Sequence, residues 1–307
     1  MRTLRFHEHG PALDVLRLDD AEPPVPGPGQ VRVTVEACGL TPADWALCGG
    51  LFPGALPRGI GLEVSGTVDA VGDGVAGTGI GDPVFGPAPF TGPTAGASEQ
   101  ALLDTWFPRP AGLDPAGAAA LPMAVETAYR GLDALGVRDG MTVLVHGAGS
   151  TVGYAAVQMA LQRGARVVAT AGETYAGALR SAGAEVTGYG DGMAERVAAL
   201  AGGPVDLAFD AAPVGGALPA LVRTVRAPEQ VLTVSDFDAA KELGVRFSGP
   251  GGEGVVSNHV LGEYAALAAE GRFSVPVAGA FPLEDWRTAA ELSLSGRARG
   301  KLVLEIG

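Results

Sequence analysis

The sequence predicts an α/β chain of two domains, one β-rich and one a doubly wound parallel sheet. Three observations carry that expectation. The chain has 307 residues, more than a single hydrophobic core usually organises, so two domains sharing a cleft are expected. Its first third alternates apolar and polar residues with the period of strands. Beyond Asp114 the pattern changes to short β-branched runs separated by helical stretches, which marks βαβ units and a parallel sheet.

Taken in order, residues 31–35 alternate with period two and follow the turn-rich stretch Pro23-Pro24-Val25-Pro26-Gly27-Pro28-Gly29. Similar strand signals recur at 64–71 and 83–85, separated by glycines. Residues 115–135 are alanine-rich and helical in pattern, and lead into the apolar run 141–145. Parallel strands are expected at 143–145, 166–170, 205–209 and 231–234. Between the first two, residues 152–163 repeat apolar side chains every three or four positions, and Gly164 supplies a C-terminal stop. After Gly249 the pattern predicts helices over 254–270 and 281–294, then a strand over 301–306. There is no internal repeat.

Composition narrows the function classes. With 47% hydrophobic and 18% charged residues, the chain buries a core and is not disordered. A net charge of -13 argues against nucleic acid and against an anionic membrane face. No apolar run approaches bilayer length, and Met1 leads straight into strand-like sequence without a charged-then-apolar leader, so a cytoplasmic location is expected. Cys38 and Cys48, the only cysteines, are too few for a disulfide scaffold or a four-thiolate zinc site and read as small buried hydrophobes. The partner these features leave is a small molecule.

The strongest local motif is Val143-Leu144-Val145-His146-Gly147-Ala148-Gly149-Ser150-Thr151-Val152-Gly153, an apolar strand turning through glycines into a helix. Glycines let the backbone approach a pyrophosphate, whose charge is met by unpaired N–H groups at the helix start. Gly147, Gly149 and Gly153 are the close-approach candidates, with Ala148, Ser150, Thr151 and Val152 completing the loop. A strand before, a helix after and a further strand at 166–170 make dinucleotide binding the preferred reading over a bare strand-helix turn.

Several motifs then follow one another in one order: Gly61-Leu62-Glu63-Val64-Ser65-Gly66-Thr67-Val68, Val71-Gly72, Gly81-Asp82-Pro83-Val84-Phe85-Gly86, Leu121-Pro122 with Thr127-Ala128-Tyr129, and Ser295-Gly296-Arg297-Ala298-Arg299-Gly300-Lys301. Over nearly its whole length the chain resembles the zinc-independent quinone oxidoreductases, NADPH:quinone reductase-like members of the medium-chain dehydrogenase/reductase superfamily. The resemblance implies a GroES-like catalytic domain over 1–115 and 250–307, a Rossmann dinucleotide-binding domain over 116–249, and an active site in the cleft. It also implies where zinc enzymes of the superfamily hold metal: a cysteine shortly after a Cys-Gly pair, and the His and Glu of a Gly-His-Glu element. Here Cys38-Gly39 is followed by Thr41, and Leu62 stands at the histidine position, leaving Glu63 alone, so no metal is expected. Ser150 stands where the family usually has glycine, and its hydroxyl either contacts phosphate or crowds it.

The resemblance places Thr41 where relatives offer an asparagine, and Ala46 and Phe52 where they offer tyrosines. Thr41 is then a candidate hydrogen-bond donor to a carbonyl, and Trp45 and Phe52 are candidates to stack on a flat substrate, against ordinary packing as the alternative. Asp44 is expected to cap or pair within its loop. Thr127 matches the family threonine that sits against the nicotinamide. No residue reads as a convincing general acid. The strand 166–170 is followed by no acid until Glu173, which favours NADPH over NADH, with Thr170, Thr174, Tyr175 and Arg180 as candidate contacts for the 2′-phosphate. The implied reaction is hydride transfer to a quinone or α,β-unsaturated carbonyl. The alternatives are a pathway-specific enoyl reductase of biosynthesis and a non-redox homologue using the cleft for binding or cyclisation. Because residues 244–248 form the edge of the parallel sheet, a homodimer is also expected.

Overall fold

The structure is a computed structural model, and it describes residues 1–52, 54–249 and 251–307. The chain divides into two compact units, Met1–Met123 with Asn258–Gly307, and Ala124–Ser257.

The first unit begins with β1 (Arg2–Phe6), α1 (Ala12–Val15), β2 (Leu16–Asp20), β3 (Val31–Leu40), α2 (Pro42–Cys48), β4 (Arg58–Gly59), β5 (Glu63–Val71), β6 (Pro83–Pro87), β7 (Gln100–Leu103), β8 (Phe107–Pro108) and α3 (Pro115–Ala119). Helix α4 (Pro122–Leu135) starts here and continues into the second unit. That unit contains β9 (Thr142–His146), α5 (Thr151–Gln162), β10 (Arg166–Thr170), α6 (Glu173–Ser181), β11 (Glu185–Thr187), α7 (Met193–Ala201), β12 (Leu207–Asp210), α8 (Leu218–Val222), β13 (Val231–Thr233), α9 (Phe237–Leu243) and β14 (Arg246–Phe247). The chain returns to the first unit through α10 (Leu261–Ala269), β15 (Val277–Pro282), α11 (Trp286–Leu294) and β16 (Lys301–Glu305).

In the first unit β2, β1 and β4 form one small sheet, and a larger one runs β15-β16-β3-β5-β6-β8, with β7 also paired to β3. Strand β3 shows why. Val31, Val33 and Val35 are buried while Arg32, Thr34 and Glu36 between them are less so, as a one-sided strand requires. Further on Ala37, Cys38, Gly39 and Leu40 are all buried. Gly39 is needed there, since a Cβ would lie 2.4 Å from the Ala119 carbonyl. Leu4, Phe6, Val33, Val64, Leu103 and Leu302 belong to one continuous core.

The second unit is a six-stranded sheet in the order β11-β10-β9-β12-β13-β14, every pair parallel. Numbered along the chain, that order is 3-2-1-4-5-6, the Rossmann arrangement. Leu144, Val168, Ala208 and Val231 bring the strands into one core with Leu218 and Leu221 of α8.

Two local readings are corrected, and one strand was not foreseen. Strand β11 is an edge strand of three half-buried residues, too short for periodicity to reveal. The helix expected over 254–270 begins only at Leu261, after a 3-10 turn at Asn258–Val260, because Gly254 is left-handed at φ +91° and breaks the run. The helix expected from 281 begins at Trp286, and Phe281 lies in β15. Pro282 accounts for this, since the residue before a proline is driven out of the α region. Among the described residues no helix is long and apolar enough to cross a membrane.

Candidate active site

The glycine loop joins β9 to α5. Gly147 turns the chain at φ +71°, and a Cβ on it would lie 2.5 Å from the Ala212 nitrogen. A Cβ on Gly153 would lie 2.3 Å from the Gly147 carbonyl oxygen. These two glycines let helix and loop close on each other. Gly149 is different, with nothing nearer to its Cβ position than Tyr175 Cδ2 at 3.8 Å, so the loop is open on that side. Ser150 is the N-cap of α5: its Oγ accepts from the Gly153 amide at 2.9 Å and donates to the Ala211 carbonyl at 2.8 Å. A helix leaves its first amides without intrahelical acceptors. With Gly153 satisfied by Ser150, the Thr151 and Val152 amides at the positive end of the helix dipole have no acceptor among the described residues and could meet an anion. The buried Ala148 is committed, its amide donating to the Thr170 carbonyl at 2.9 Å.

The polar residues around the loop divide into committed and open. Thr170 is fully buried; its hydroxyl accepts the Gly147 amide at 3.2 Å and shares a 2.7 Å hydrogen bond with His146 Nδ1. Its hydroxyl therefore holds the loop rather than a ligand. Burial pushes the His146 imidazole down to about 4, so it is neutral at pH 7. Asp210, at the end of β12, accepts from Thr233 Oγ1 at 2.8 Å and the Ala212 amide at 3.2 Å, and burial pushes it up to about 6. Thr174 is exposed in the first turn of α6, and Tyr175 is half-buried with its ring edge-on to Tyr154 at 5.4 Å. Arg180 is exposed in the last turn of α6, on the order of 10 Å along the axis from the end that carries Thr174. Thr127 is half-buried on α4.

In the first unit the candidate residues have found partners close by. Asp44 Oδ2 accepts the Thr41 amide at 2.7 Å and the Thr41 hydroxyl at 3.0 Å, and Oδ1 accepts the Gly61 amide at 2.7 Å. Asp44 thus has the structural role expected of it, tying α2 to the start of β5. Its carboxyl is fully buried, and that burial, opposed by these donors, pushes it up to about 6. Trp45 is 7% exposed, belongs to the main core and donates from Nε1 to Ser293 Oγ at 2.8 Å. It is core packing rather than an open stacking face, because α11 covers it. Phe52 is half-buried, its ring 5.5 Å from that of Phe90. Cys38 and Cys48 are buried, which raises both thiols, Cys48 to about 12.

Sequence reasoning left Glu63 without a partner. The structure supplies one: Glu63 Oε1 and the Lys301 ammonium form a close ion pair, both side chains buried, and Glu63 Oε2 accepts the Met123 amide at 2.8 Å. Both residues stand in quoted motifs, but their distance in sequence hides the pairing. The three positions that would ligate zinc therefore hold a threonine bonded to Asp44, the apolar and buried Leu62, and a carboxylate already neutralised by an ammonium. That donor set does not fit zinc, which needs three or four sulfur, nitrogen or carboxylate ligands.

The family models agree with this architecture. Residues 27–129 match the alcohol dehydrogenase GroES-like domain and residues 147–304 the zinc-binding dehydrogenase domain. The chain therefore belongs to the medium-chain dehydrogenase/reductase superfamily. Among its relatives, the spectinabilin polyketide synthase system protein NorB of Streptomyces orinoci is 35% identical over 301 residues, 90% of this chain and 13% of that protein. Quinone oxidoreductase of Rattus norvegicus is 39% identical over 178 residues, 56% of this chain and 53% of that one. The match thus spans about half of the rat protein and a small part of NorB. Among solved structures, the quinone oxidoreductase of Coxiella burnetii superposes with a TM-score of 0.84 at 28% identity, covering 100% of this chain and 99% of that one.

Proposed function

We propose that this chain is a zinc-independent, NADPH-dependent oxidoreductase that transfers hydride to a quinone or an α,β-unsaturated carbonyl. The observation that carries the reading is the glycine loop, whose open Gly149 side and uncommitted Thr151 and Val152 amides fit a pyrophosphate. When bound, the dihydronicotinamide supplies the hydride. The chain's own residues do the rest. Gly147 and Gly153 close the loop so that the amides reach the phosphates, Ser150 holds the first turn of α5, and the neutral His146 with Thr170 fixes the end of β9. Thr127 is the residue we assign to the nicotinamide. Because the positions for a Lewis acid hold Thr41, Leu62 and Glu63, alkoxide stabilisation of the zinc type has no ligand set here. An acceptor whose conjugation spreads the incoming charge does not need it. The Thr41 hydroxyl donates its hydrogen bond to Asp44, so solvent is the proton source in this scheme.

The preference for NADPH rests on the absence of a carboxylate at the end of β10, where an NAD enzyme holds the ribose hydroxyls. With Thr170 committed to the loop and Arg180 at the far end of α6, Thr174 and Tyr175 are the nearest candidates for the 2′-phosphate, so the preference is modest. We read the chain as cytoplasmic, and as a homodimer joined along the edge strand β14; light scattering at micromolar concentration giving a monomer mass removes the latter. The match to NorB along 90% of the chain favours one second reading, an enoyl reductase dedicated to a biosynthetic intermediate. Steady-state NADPH oxidation against quinones, enones, aldehydes and alcohols decides: quinones fastest, enones slower, and alcohol activity alone defeats the proposal. Turnover only with a thioester-linked enone favours the second reading.

A further inference from the structure

One arginine of the first unit has no place in the chemistry above. Arg58 opens β4, which pairs with β1 so that Phe6 lies opposite Arg58, and its side chain is fully buried. Buried guanidinium groups are ordinarily met by carboxylates. Among the described residues, the partners of this one are main-chain carbonyls instead. Nε and Nη2 donate to the Phe90 carbonyl at 3.3 and 3.1 Å, and Nη1 donates to the Phe52 carbonyl. Those carbonyls belong to the two residues whose rings pack against each other, 5.5 Å apart and inclined at 45°. The guanidinium carbon lies 6.0 Å from the Phe90 ring centroid. Gly54 lies against the same group, since a Cβ on it would lie 3.2 Å from Nη1. Both rings keep an exposed part while the arginine keeps none. A rigid, planar fork anchored on a strand thus gathers two chain segments and fixes the backbone from which each ring projects.

We propose that Arg58 is a positioning residue that sets Phe52 and Phe90 as the aromatic wall for a flat, multi-ring acceptor, and so tilts the enzyme toward bicyclic quinones over small acyclic enones. This rests on the hydride-transfer reading above. A two-ring acceptor gains from stacking on rings already held in place, because little freedom is lost when it docks. An acyclic enone has little to stack and little to lose.

The test compares Arg58→Met, Arg58→Lys and Phe52→Leu with the unaltered full chain, using NADPH with 1,4-naphthoquinone or with 3-buten-2-one. For Arg58→Met the KM for naphthoquinone rises about tenfold with kcat within about twofold, while the KM for butenone stays within about twofold. Arg58→Lys, with a point charge that reaches one carbonyl at a time, restores part of the loss. NADPH affinity, read by nucleotide fluorescence, does not change. Phe52→Leu leaves the main-chain carbonyl in place and gives the same split, so the wall is tested even where Arg58→Met does not fold. Equal KM changes for the two acceptors, or no change in Phe52→Leu, overturn the proposal. If the unaltered chain oxidises NADPH with neither acceptor, the hydride-transfer reading is what fails. Deuterium uptake over residues 51–57 then judges the staple: about tenfold faster exchange in Arg58→Met upholds it, and unchanged exchange overturns it.

Discussion

The glycine loop of the second unit and the residues Thr41, Asp44, Trp45 and Glu63 of the first differ in how far their polar groups are committed to partners within the chain. The loop keeps the Thr151 and Val152 amides without acceptors among the described residues. In the proposed reading its recognition would fall to main-chain amides, with glycine at 147 and 153 letting loop and helix pack closely and glycine at 149 leaving one side open. The first-unit region has closed on itself: Asp44 takes Thr41, Lys301 takes Glu63, and Ser293 takes Trp45. Where recognition rests on backbone, the site survives changes of neighbouring side chains. Where it would rest on side chains, a threonine and a leucine at two of the positions leave packing and internal ion pairs instead.

The largest effect that tests this contrast is Lys301→Met. It leaves Glu63 fully buried without its cation, and breaking a buried pair in this way costs about 3–5 kcal/mol. Chemical denaturation should register that loss, and adding Glu63→Gln should recover most of it. A single variant as stable as the parent would mean that Glu63 is not held by charge.

Next is pH, where the signs differ between groups. His146 is held down at about 4 against an ordinary 6.5, so the fold resists a proton that the unfolded chain accepts. Its contribution is complete above 6.5 and is lost as pH falls toward 4, about 3 kcal/mol in all. Asp44 and Asp210 are raised to about 6 from 3.8. They bind a proton more tightly when folded, so their contribution grows as pH falls from about 6 toward 4. In the second unit His146 and Asp210 oppose each other over most of that window. His146→Gln removes the losing partner. Hydrogen exchange of β9 and β12 amides should then show the second unit gaining stability on acidification where the parent stays nearly level. A variant with the parent's pH profile would contradict the burial of a neutral imidazole.

Gly153→Ala and Gly149→Ala set close packing against open space within one loop. The first forces a Cβ to 2.3 Å from the Gly147 carbonyl oxygen, which costs about 1–3 kcal/mol through overpacking and displaces the first turn of α5. The second meets nothing closer than 3.8 Å and should leave stability within about 0.5 kcal/mol, the range for changes away from packed features. Both should weaken NADPH binding, measured by fluorescence titration. If Gly149→Ala binds NADPH as the parent does, the open side of the loop is not where the phosphates lie.

These cases show what was legible in the sequence. The fold class was, because the strands β9, β10, β12 and β13 are continuous apolar runs and β3 alternates. The strand-turn-helix course of the glycine loop was, because glycine spacing is a local signal of a tight turn. The ends of α10 and α11 were not, since apolar periodicity ran on through Gly254 and Pro282, which stop the helices. Among the side chains, Asp44 was readable because its partner Thr41 is three residues away. Lys301, Ser293 and the two carbonyls on Arg58 were not, because the fold alone brings them to Glu63, Trp45 and Arg58. Trp45 illustrates the consequence: its place in the loop left a stacking surface and ordinary packing both open, and only α11 reveals that it is covered.

The smallest expected effect decides what Ser150 does. The family resemblance implies a glycine there, and if the loop holds phosphate a hydroxyl in it either reads the ligand or supports the loop. In this structure both of its hydrogen-bonding roles are taken, accepting from the Gly153 amide and donating to the Ala211 carbonyl. The supporting role is that of an N-cap, and replacing a serine cap by alanine typically costs about 1 kcal/mol, by glycine only a few tenths. Ser150→Gly should therefore lower stability slightly and Ser150→Ala somewhat more, with NADPH affinity within about threefold of the parent in both, a difference of less than about 0.7 kcal/mol. A tenfold loss of NADPH affinity in both variants would show that the hydroxyl leaves Ala211 to meet the phosphate. A tenfold gain in the glycine variant alone would show instead that the serine crowds it, and the loop would then be tuned to hold its cofactor less tightly than its backbone allows.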